Sequence, residues 1–350
     1  MSTFFIAGEQ RSGTTLLSVI LSRHSQIHLD GNSLGFRLVT CLLKLPPQVL
    51  QYNLKHAPKE VLAWLIKNDY KGRLSDLIDL EKLHEFTDSR SAVGSGIEKK
   101  LLESGKKVFG DKSPRVHYFM PELLTIIPEA KFIHVVRDGR AVALSRKKRA
   151  KKNLLLGAQE WVDSNILGLS NKMLVGEGAY LFVKYEDLLT KPEDTIRGIC
   201  KFLKLDFEEY MLVGQKESKG DESYVHSDFR TDKIHSFQTE LNTRQRRNLE
   251  RIQGPLLKRL GYDLEFEFSD RLYKDLGIFR RIWLNQLDNF GQLLISKRTG
   301  MRDRKNVDIH IPVSTRVKTF IFELGRDLLP DKVFKRVFRK RWVKNIYINE

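Results

Sequence analysis

The sequence predicts an α/β fold: a mostly parallel sheet covered by helices on both faces, followed by a basic helical extension. Three observations predict it. Short apolar runs at Thr3–Ala7, Lys131–Val136 and the start of Ala179–Leu188 have the length and the Val, Ile and Phe content of buried strands. Segments with helical periodicity stand between them, as in a chain of parallel α/β units. The last 80 residues, Arg271–Glu350, carry 19 Lys and Arg against 8 Asp and Glu, which is +11 of the chain's formal +17.

Each element follows in order. Thr3–Ala7 is a strand, Gly8–Gly13 a turn, and Thr14–Arg23 a helix with Leu16, Leu17, Ile20 and Leu21 on its apolar side. Phe36–Leu50 and Pro58–Lys67 read as helices between proline-bearing turns. Lys106–Gly110 is a short extended piece ending at Asp111, and His117–Ile127 a helix. Lys131–Val136 is the strongest strand. Gly139–Lys152 and Leu154–Val175 are helices, and Ala179–Leu188 opens as a strand and closes in acid residues. Pro192–Leu203 is a helix with proline in its first turn, where its missing N–H costs nothing. Gly214–His235 is a polar loop. Thr243–Leu260 is a helix capped by Thr243 and stopped by Gly261.

In parallel sheets of this kind ligands sit at the carboxyl ends of the strands. The loops after Ala7, Gly110, Val136 and Lys184 are therefore expected to converge on one site. The domain boundary falls at 264/265. Residues 1–264 form the α/β domain. Residues 265–350 form an extension of basic amphipathic helices, "RLYKDLGIFRRIWLNQL" and "DKVFKRVFRKRWVKNIYI". Such helices either face a membrane surface or glycan, or pack their apolar sides on the domain and leave their charges in water.

Bulk properties narrow the class. A chain of 350 residues with 41% hydrophobic and 30% charged residues is an ordinary globular protein. No run of 18 apolar residues predicts a membrane span. No basic-then-apolar leader opens the chain, so the cytoplasm is the expected compartment, with peripheral membrane attachment through the extension as the variant. Cys41 and Cys200 sit among apolar neighbours and read as two buried thiols, and no metal site is expected. The positive charge favours an anionic partner. No nucleic-acid partner is expected, because the aromatics of the extension belong to no recognition motif.

Chemistry concentrates in three stretches. Gly8–Thr15 reads G-x-x-x-x-G-T-T. Its glycines allow a tight turn around an oxyanion, backbone N–H groups of Ser12–Leu16 can point inward, and the next helix offers its positive end. Ser12, Thr14 and Thr15 add hydroxyl donors. A nucleoside-triphosphate loop carries Lys where this chain has Thr14. The cation here is Arg11, in the bend. The loop thus suits a single phosphate bearing another group. The second stretch is "FGDKSPR", where Lys112 follows a strand end and a stiff Ser-Pro turn. The third is "FIHVVRDGRAVALSRKKR": Arg137 closes a strand and Ser145 lies about two turns into the next helix, so both can hold one phosphate. Asp138 is placed to cap that helix. Most of Arg146, Lys147, Lys148, Arg149, Lys151 and Lys152 read as its solvated basic face.

In this order, "AGEQRSGTTLL", "DKSPR" and "RDGRAVALS" strongly resemble the motifs of the PAPS-dependent sulfotransferases, of the bacterial and tyrosylprotein branch. Their donor is 3′-phosphoadenosine 5′-phosphosulfate (PAPS). The likeness runs from about Phe4 to Asp263 and includes "FVKYEDLL" and "LERIQGPLLKRLGYDL". It implies a P-loop-type sheet and transfer of a sulfuryl group to an acceptor hydroxyl. By the resemblance, Arg11 and Lys112 act at the transferring group. Ser12, Gly13, Thr14 and Thr15 hold the 5′-phosphate, Arg137 and Ser145 the 3′-phosphate, and Tyr185 the adenine. Arg230, Lys233 and Ser236 fall in a segment that closes over the nucleotide in the family.

One position departs from the family. Where a glutamate base is expected, the chain has Asn32, in "HLDGNSLGF". An amide takes no proton at neutral pH. Asp30 is the substitute base, with Asp111 and His117 as alternatives. The acceptor is expected to be a carbohydrate hydroxyl, on a polysaccharide or glycolipid. Two rival readings stay open: a P-loop kinase or NTPase, which Thr14 disfavours, and a non-catalytic anion-binding protein, which Asn32 favours.

Overall fold

The computed structural model describes residues 2–30, 89–212, 231, 234–267, 276, 277, 280, 281, 283 and 284. The expected helices Phe36–Leu50 and Pro58–Lys67, together with Cys41, Asn32, Arg230, Lys233 and most of the extension, lie outside them.

Five strands form one parallel sheet: β1 (Ser2–Ala7), β2 (Ile27–Asp30), β3 (Val108–Lys112), β4 (Lys131–Val136) and β5 (Tyr180–Lys184), in the order β2-β3-β1-β4-β5. The fold is α/β of the P-loop type, flanked by helices. Alternate residues of a strand point to opposite faces, and both faces of this sheet are covered. Phe4 and Ile6 of β1 join Ile133 and Val135 of β4 in one core, over which lie α1 (Thr14–Ser22) and α7 (Pro192–Leu203). Phe5 and Ala7 face the other way, with Phe132 and Tyr180, against α3 (Met120–Ile126). Hence the central strands β1 and β4 read as nearly continuous apolar runs.

Two elements were not anticipated. β2 is a four-residue edge strand, and α2 (Ser89–Ser104) carries Gly94 and Gly96 within it. α2 nevertheless buries Val93, Ile97 and Leu101, spaced four apart on one side. The remaining helices are α4 (Gly139–Ala150), α5 (Leu154–Val175), α6 (Tyr185–Thr190), α8 (Ser236–Glu240) and α9 (Thr243–Arg259). α9 is capped one residue earlier than expected. The Asn242 side chain accepts from the N–H of Gln245, and the Gln245 side chain accepts from the N–H of Asn242, a reciprocal box that Thr243 cannot form. Gly261 stands just beyond α9 with φ 74°, as expected of a stop. Of the extension, Leu276 and Leu284 bury against Leu156 of α5, and Arg281 pairs with Asp163 of the same helix at 2.9 Å.

The strand order sets the site. β1 leads to β2 on one side of the sheet, while its neighbour β4 leads to β5 on the other. The chain leaves β1 and β4 in opposite directions, which opens a crevice at their carboxyl ends.

Candidate active site

The loop 8–13 runs over that crevice. Gly8 has φ 141°, and a Cβ there would lie 2.4 Å from the carbonyl oxygen of Val135, so the loop backbone rests directly on β4. The N–H of Ser12 closes a turn onto Glu9 O at 3.1 Å, and the left-handed Arg11 (φ 75°) and Gly13 (φ 100°) complete the bend. No side chain caps the N-terminus of α1. Its first N–H groups therefore present to an outside acceptor, with the positive end of the helix behind them. The Ser12 hydroxyl is fully buried within the loop and has no protein partner.

Residues from the third stretch meet the loop here. The Arg11 Nε donates to Ser145 Oγ at 3.1 Å, and Arg137 Nη1 approaches the Arg11 carbonyl oxygen at 3.5 Å. The Arg137 guanidinium also lies 4.4 Å from the centre of the Tyr185 ring. That ring packs on Gly13, where a Cβ would come within 2.2 Å of it. Arg11, Arg137, Ser145 and Tyr185, from three separate stretches of the chain, thus form one cationic, hydroxyl-bearing corner.

Lys112 ends β3 in register with Ile6 of β1. The turn after it is tied to the loop strand by two backbone bonds, Ser113 N–H to Ile6 O at 3.2 Å and Arg115 N–H to Gly8 O at 3.1 Å. Asp30 ends β2 opposite Asp111 of β3, at the same carboxyl edge of the sheet. The alternatives to Asp30 fare differently. Asp111 is fully buried, and its carboxylate accepts a close hydrogen bond from the Ser113 hydroxyl. His117 is also fully buried: its Nε2 meets Ser164 Oγ at 2.8 Å and its ring lies 4.7 Å from that of His134. Burial holds its pKa well below the usual histidine value. His117 is a core residue with no access to an acceptor.

Several supporting residues were not singled out from the sequence. Asp138 caps α4 as expected, accepting from the N–H of Arg140 at 2.9 Å, but Arg140 is itself buried and bridges Asp138 (2.7 Å) and Glu250 (2.5 Å). Glu186 accepts from the Asp138 N–H at 3.0 Å and from the Tyr262 hydroxyl at 2.9 Å, joining the starts of α4 and α6. Burial pushes its carboxyl up, against those two donors. The basic face of α4 needs one correction. Lys147, Lys148, Arg149 and Lys151 are exposed as read, whereas Arg146 is only 3% exposed and lies against Glu9 and Glu160. A turn-by-turn count of charges cannot separate it from its neighbours, because its partners come from distant elements. Ser236 opens α8.

The model of the sulfotransferase family matches residues 3–209, more than half of the 350-residue chain. The chain belongs to the sulfotransferase family. An omega-hydroxy-beta-dihydromenaquinone-9 sulfotransferase of Mycobacterium tuberculosis is 31% identical over 321 residues, covering 78% of each chain. A protein-tyrosine sulfotransferase of Drosophila melanogaster is 26% identical over 226 residues, covering 61% of this chain and 40% of that protein. Among solved structures, the sulfotransferase domain of the Synechococcus PCC 7002 olefin synthase has the same fold, with a TM-score of 0.53 and 23% identity over 75% of this chain and 96% of the domain. This sulfotransferase brings the loop after β1 within hydrogen-bonding reach of Arg137, at the end of β4, and of Ser145 on α4.

Proposed function

We propose that this sulfotransferase moves a sulfuryl group from PAPS to an acceptor hydroxyl. The observation that carries the reading is the contact of Arg11 with Ser145 and Arg137 beside an uncapped α1. One corner thereby offers cations and hydroxyls to both phosphate ends of a single nucleotide. The buried, partnerless Ser12 hydroxyl fits an oxyanion cradled by the loop. PAPS supplies the transferable sulfuryl group.

In the transfer, the acceptor oxygen bonds to sulfur as the bond from sulfur to the 5′-phosphate oxygen breaks. 3′-Phosphoadenosine 5′-phosphate (PAP) departs and the acceptor loses its proton. Charge grows on the leaving oxygen, so catalysis is mostly positioning and neutralisation. Arg11 and Lys112 supply the positive charge, each worth about 3 kcal/mol if they act as oxyanion donors do. Ser12, Gly13, Thr14 and Thr15 bind the 5′-phosphate, Arg137 and Ser145 the 3′-phosphate. Tyr185 borders the adenine. Asp30, at the end of β2, accepts the acceptor proton.

The acceptor we propose is a sugar hydroxyl on a polysaccharide or glycolipid, to which the strongly basic extension is complementary. The 31% identical relative, named for a menaquinone-derived alcohol, favours a second reading, a hydroxyl on a lipid chain. A screen of PAPS consumption against sugars, glycolipids, lipid alcohols and tyrosine peptides separates them. In the same assay, Lys112→Ala and Arg11→Ala are expected to abolish turnover in folded protein. Wild-type rates in either variant would remove that residue from the mechanism. Mg-ATP binding without PAP binding would replace the whole reading by a P-loop NTPase.

A further inference from the structure

A carboxylate inside an anion-binding loop works against the loop unless its charge is cancelled. Glu9 is such a residue: it stands two positions before Arg11 and is fully buried. Its Oε1 accepts from the N–H of Gln10 at 3.0 Å, from Arg115 Nη2 at 2.8 Å and Nε at 3.2 Å, and from Arg146 Nη1 at 3.3 Å. The two arginines converge again on Glu160 of α5: Arg115 Nη2 lies 3.0 Å from Glu160 Oε2, and Arg146 Nη2 is in close contact with the same oxygen. Two carboxylates and two guanidiniums alternate in a closed, neutral ring.

The members of the ring are not scattered. Arg115 lies three residues past Lys112, in a left-handed conformation (φ 70°), and Arg146 directly follows Ser145. Each of the three anion-directed stretches contributes one member, and α5 supplies the fourth. The ring is ionic and its geometry is defined: Arg115 meets Glu9 Oε1 through both Nε and Nη2, and Arg146 spans Glu9 and Glu160 with its two terminal nitrogens, so the planar guanidiniums fix distance and angle. A solely stabilising contact between these stretches is more readily made with apolar side chains, since burying the charges of Glu9 and Arg146 costs about what their attraction to the ring returns.

Resting on the PAPS-sulfotransferase reading, we infer that Glu9 and Glu160 are positioning residues, which through Arg115 and Arg146 set the spacing between Lys112 on one side and Arg11 and Ser145 on the other. The N–H groups at the start of α1 and Arg137 are not members of the ring. Donor binding and the transfer step are therefore separable, the ring governing mainly the second.

The test uses the full chain, with PAPS as donor and water as acceptor, so that it depends on no particular alcohol. The variants are Glu9→Gln and the less buried Glu160→Gln, which preserves the test if the first does not fold. Three quantities are read: PAP affinity and stoichiometry by calorimetry, kcat and KM for PAPS breakdown, and the thermal midpoint. The expected result for Glu160→Gln is a kcat lower by about ten- to a hundred-fold, the penalty for a misplaced catalytic group. PAP affinity stays within about threefold and stoichiometry is unchanged. A kcat that is unchanged, or that falls only in step with PAP affinity or with the fraction of binding-competent protein, overturns the inference and leaves the function intact. A wild-type protein that neither binds PAP nor cleaves PAPS overturns the function itself, and the inference with it.

Discussion

Arg11 and Ser145 meet at 3.1 Å across 134 residues of sequence, guanidinium Nε to hydroxyl oxygen. One ends the bend of the loop after β1, and the other sits on the crevice side of α4. The hydroxyl thus orients the cation, and both groups border the same corner. Ser145→Ala removes an oxygen that touches a charged partner, an interaction worth about 1.5–3 kcal/mol when a charge is involved. PAP affinity is expected to fall by about tenfold or more, measured by calorimetry. An unchanged Kd would take Ser145 out of the nucleotide site.

Gly13 offers a steric test of the same corner. It has φ 100°, and a Cβ would stand 2.2 Å from the Tyr185 ring, which also stacks with the Arg137 guanidinium at 4.4 Å from its centre. Gly13→Ala must strain the backbone or displace the ring, at a cost of about 1–3 kcal/mol. The thermal midpoint should fall and PAP binding with it. In a Tyr185→Ala background the steric part vanishes, so the added alanine should cost less. Equal losses in both backgrounds would refute the packing of Tyr185 on Gly13.

Much of this corner was legible before the structure. Lys131–Val136 and Pro192–Leu203 have the expected bounds, the first because a continuous apolar run is interrupted by charge at each end, the second because proline fixes its first turn. The same local signals fail for β2, where Ile27 is the only fully buried residue of four, and for α2, whose glycines and serines mimic a loop. Arg11, Lys112, Arg137 and Ser145 were singled out because anion chemistry prescribes their types and spacing, and three of them, Arg11, Arg137 and Ser145, meet in the structure. Glu9, Arg115, Arg140, Glu160 and Glu250 were not singled out. Each is explained only by a partner far away in sequence, and a single sequence contains no record of who faces whom.

Arg140 shows what such hidden partners are worth. It is 5% exposed and held between Asp138 and Glu250, whose charges keep it firmly protonated despite burial. Arg140→Met leaves two carboxylates buried without their counter-ion, a change that typically costs about 3–5 kcal/mol. Urea unfolding should register a loss of that size. Because Asp138 follows Arg137, PAP affinity should also drop. By contrast Glu193→Gln, which removes the exposed pair with Arg197 on α7, should leave the urea midpoint almost unmoved. Similar effects for the two variants would contradict the buried bridge.

The strongest pH dependence should come from two histidines that take no part in the chemistry. His134 Nε2 donates to Asn165 Oδ1 at 3.2 Å, which leaves Nδ1 to accept from the Tyr180 hydroxyl at 2.7 Å. The neutral ring therefore satisfies both partners, and a second ring proton would face the Tyr180 O–H. Burial pushes its pKa down to about 3, and burial, with His134 and Arg115 nearby, holds His117 well below its usual value. The unfolded chain takes up protons at both rings near pH 6.5, while the fold does not. Stability is then fully present above that pH and is lost as pH falls, by up to about 1.4 kcal/mol per unit for each ring. Between pH 7.5 and 5.5 the pair should cost about 2.7 kcal/mol. Glu9 and Glu186, whose carboxyls burial pushes up, act with the opposite sign closer to the carboxylate range. His134→Gln should shrink the loss by about half, whatever its own stability at pH 7.5, since one of the two titrations is gone. Urea unfolding at the two pH values measures both quantities. A wild-type stability that is flat across this interval would mean that the rings are hydrated or already charged in the native state.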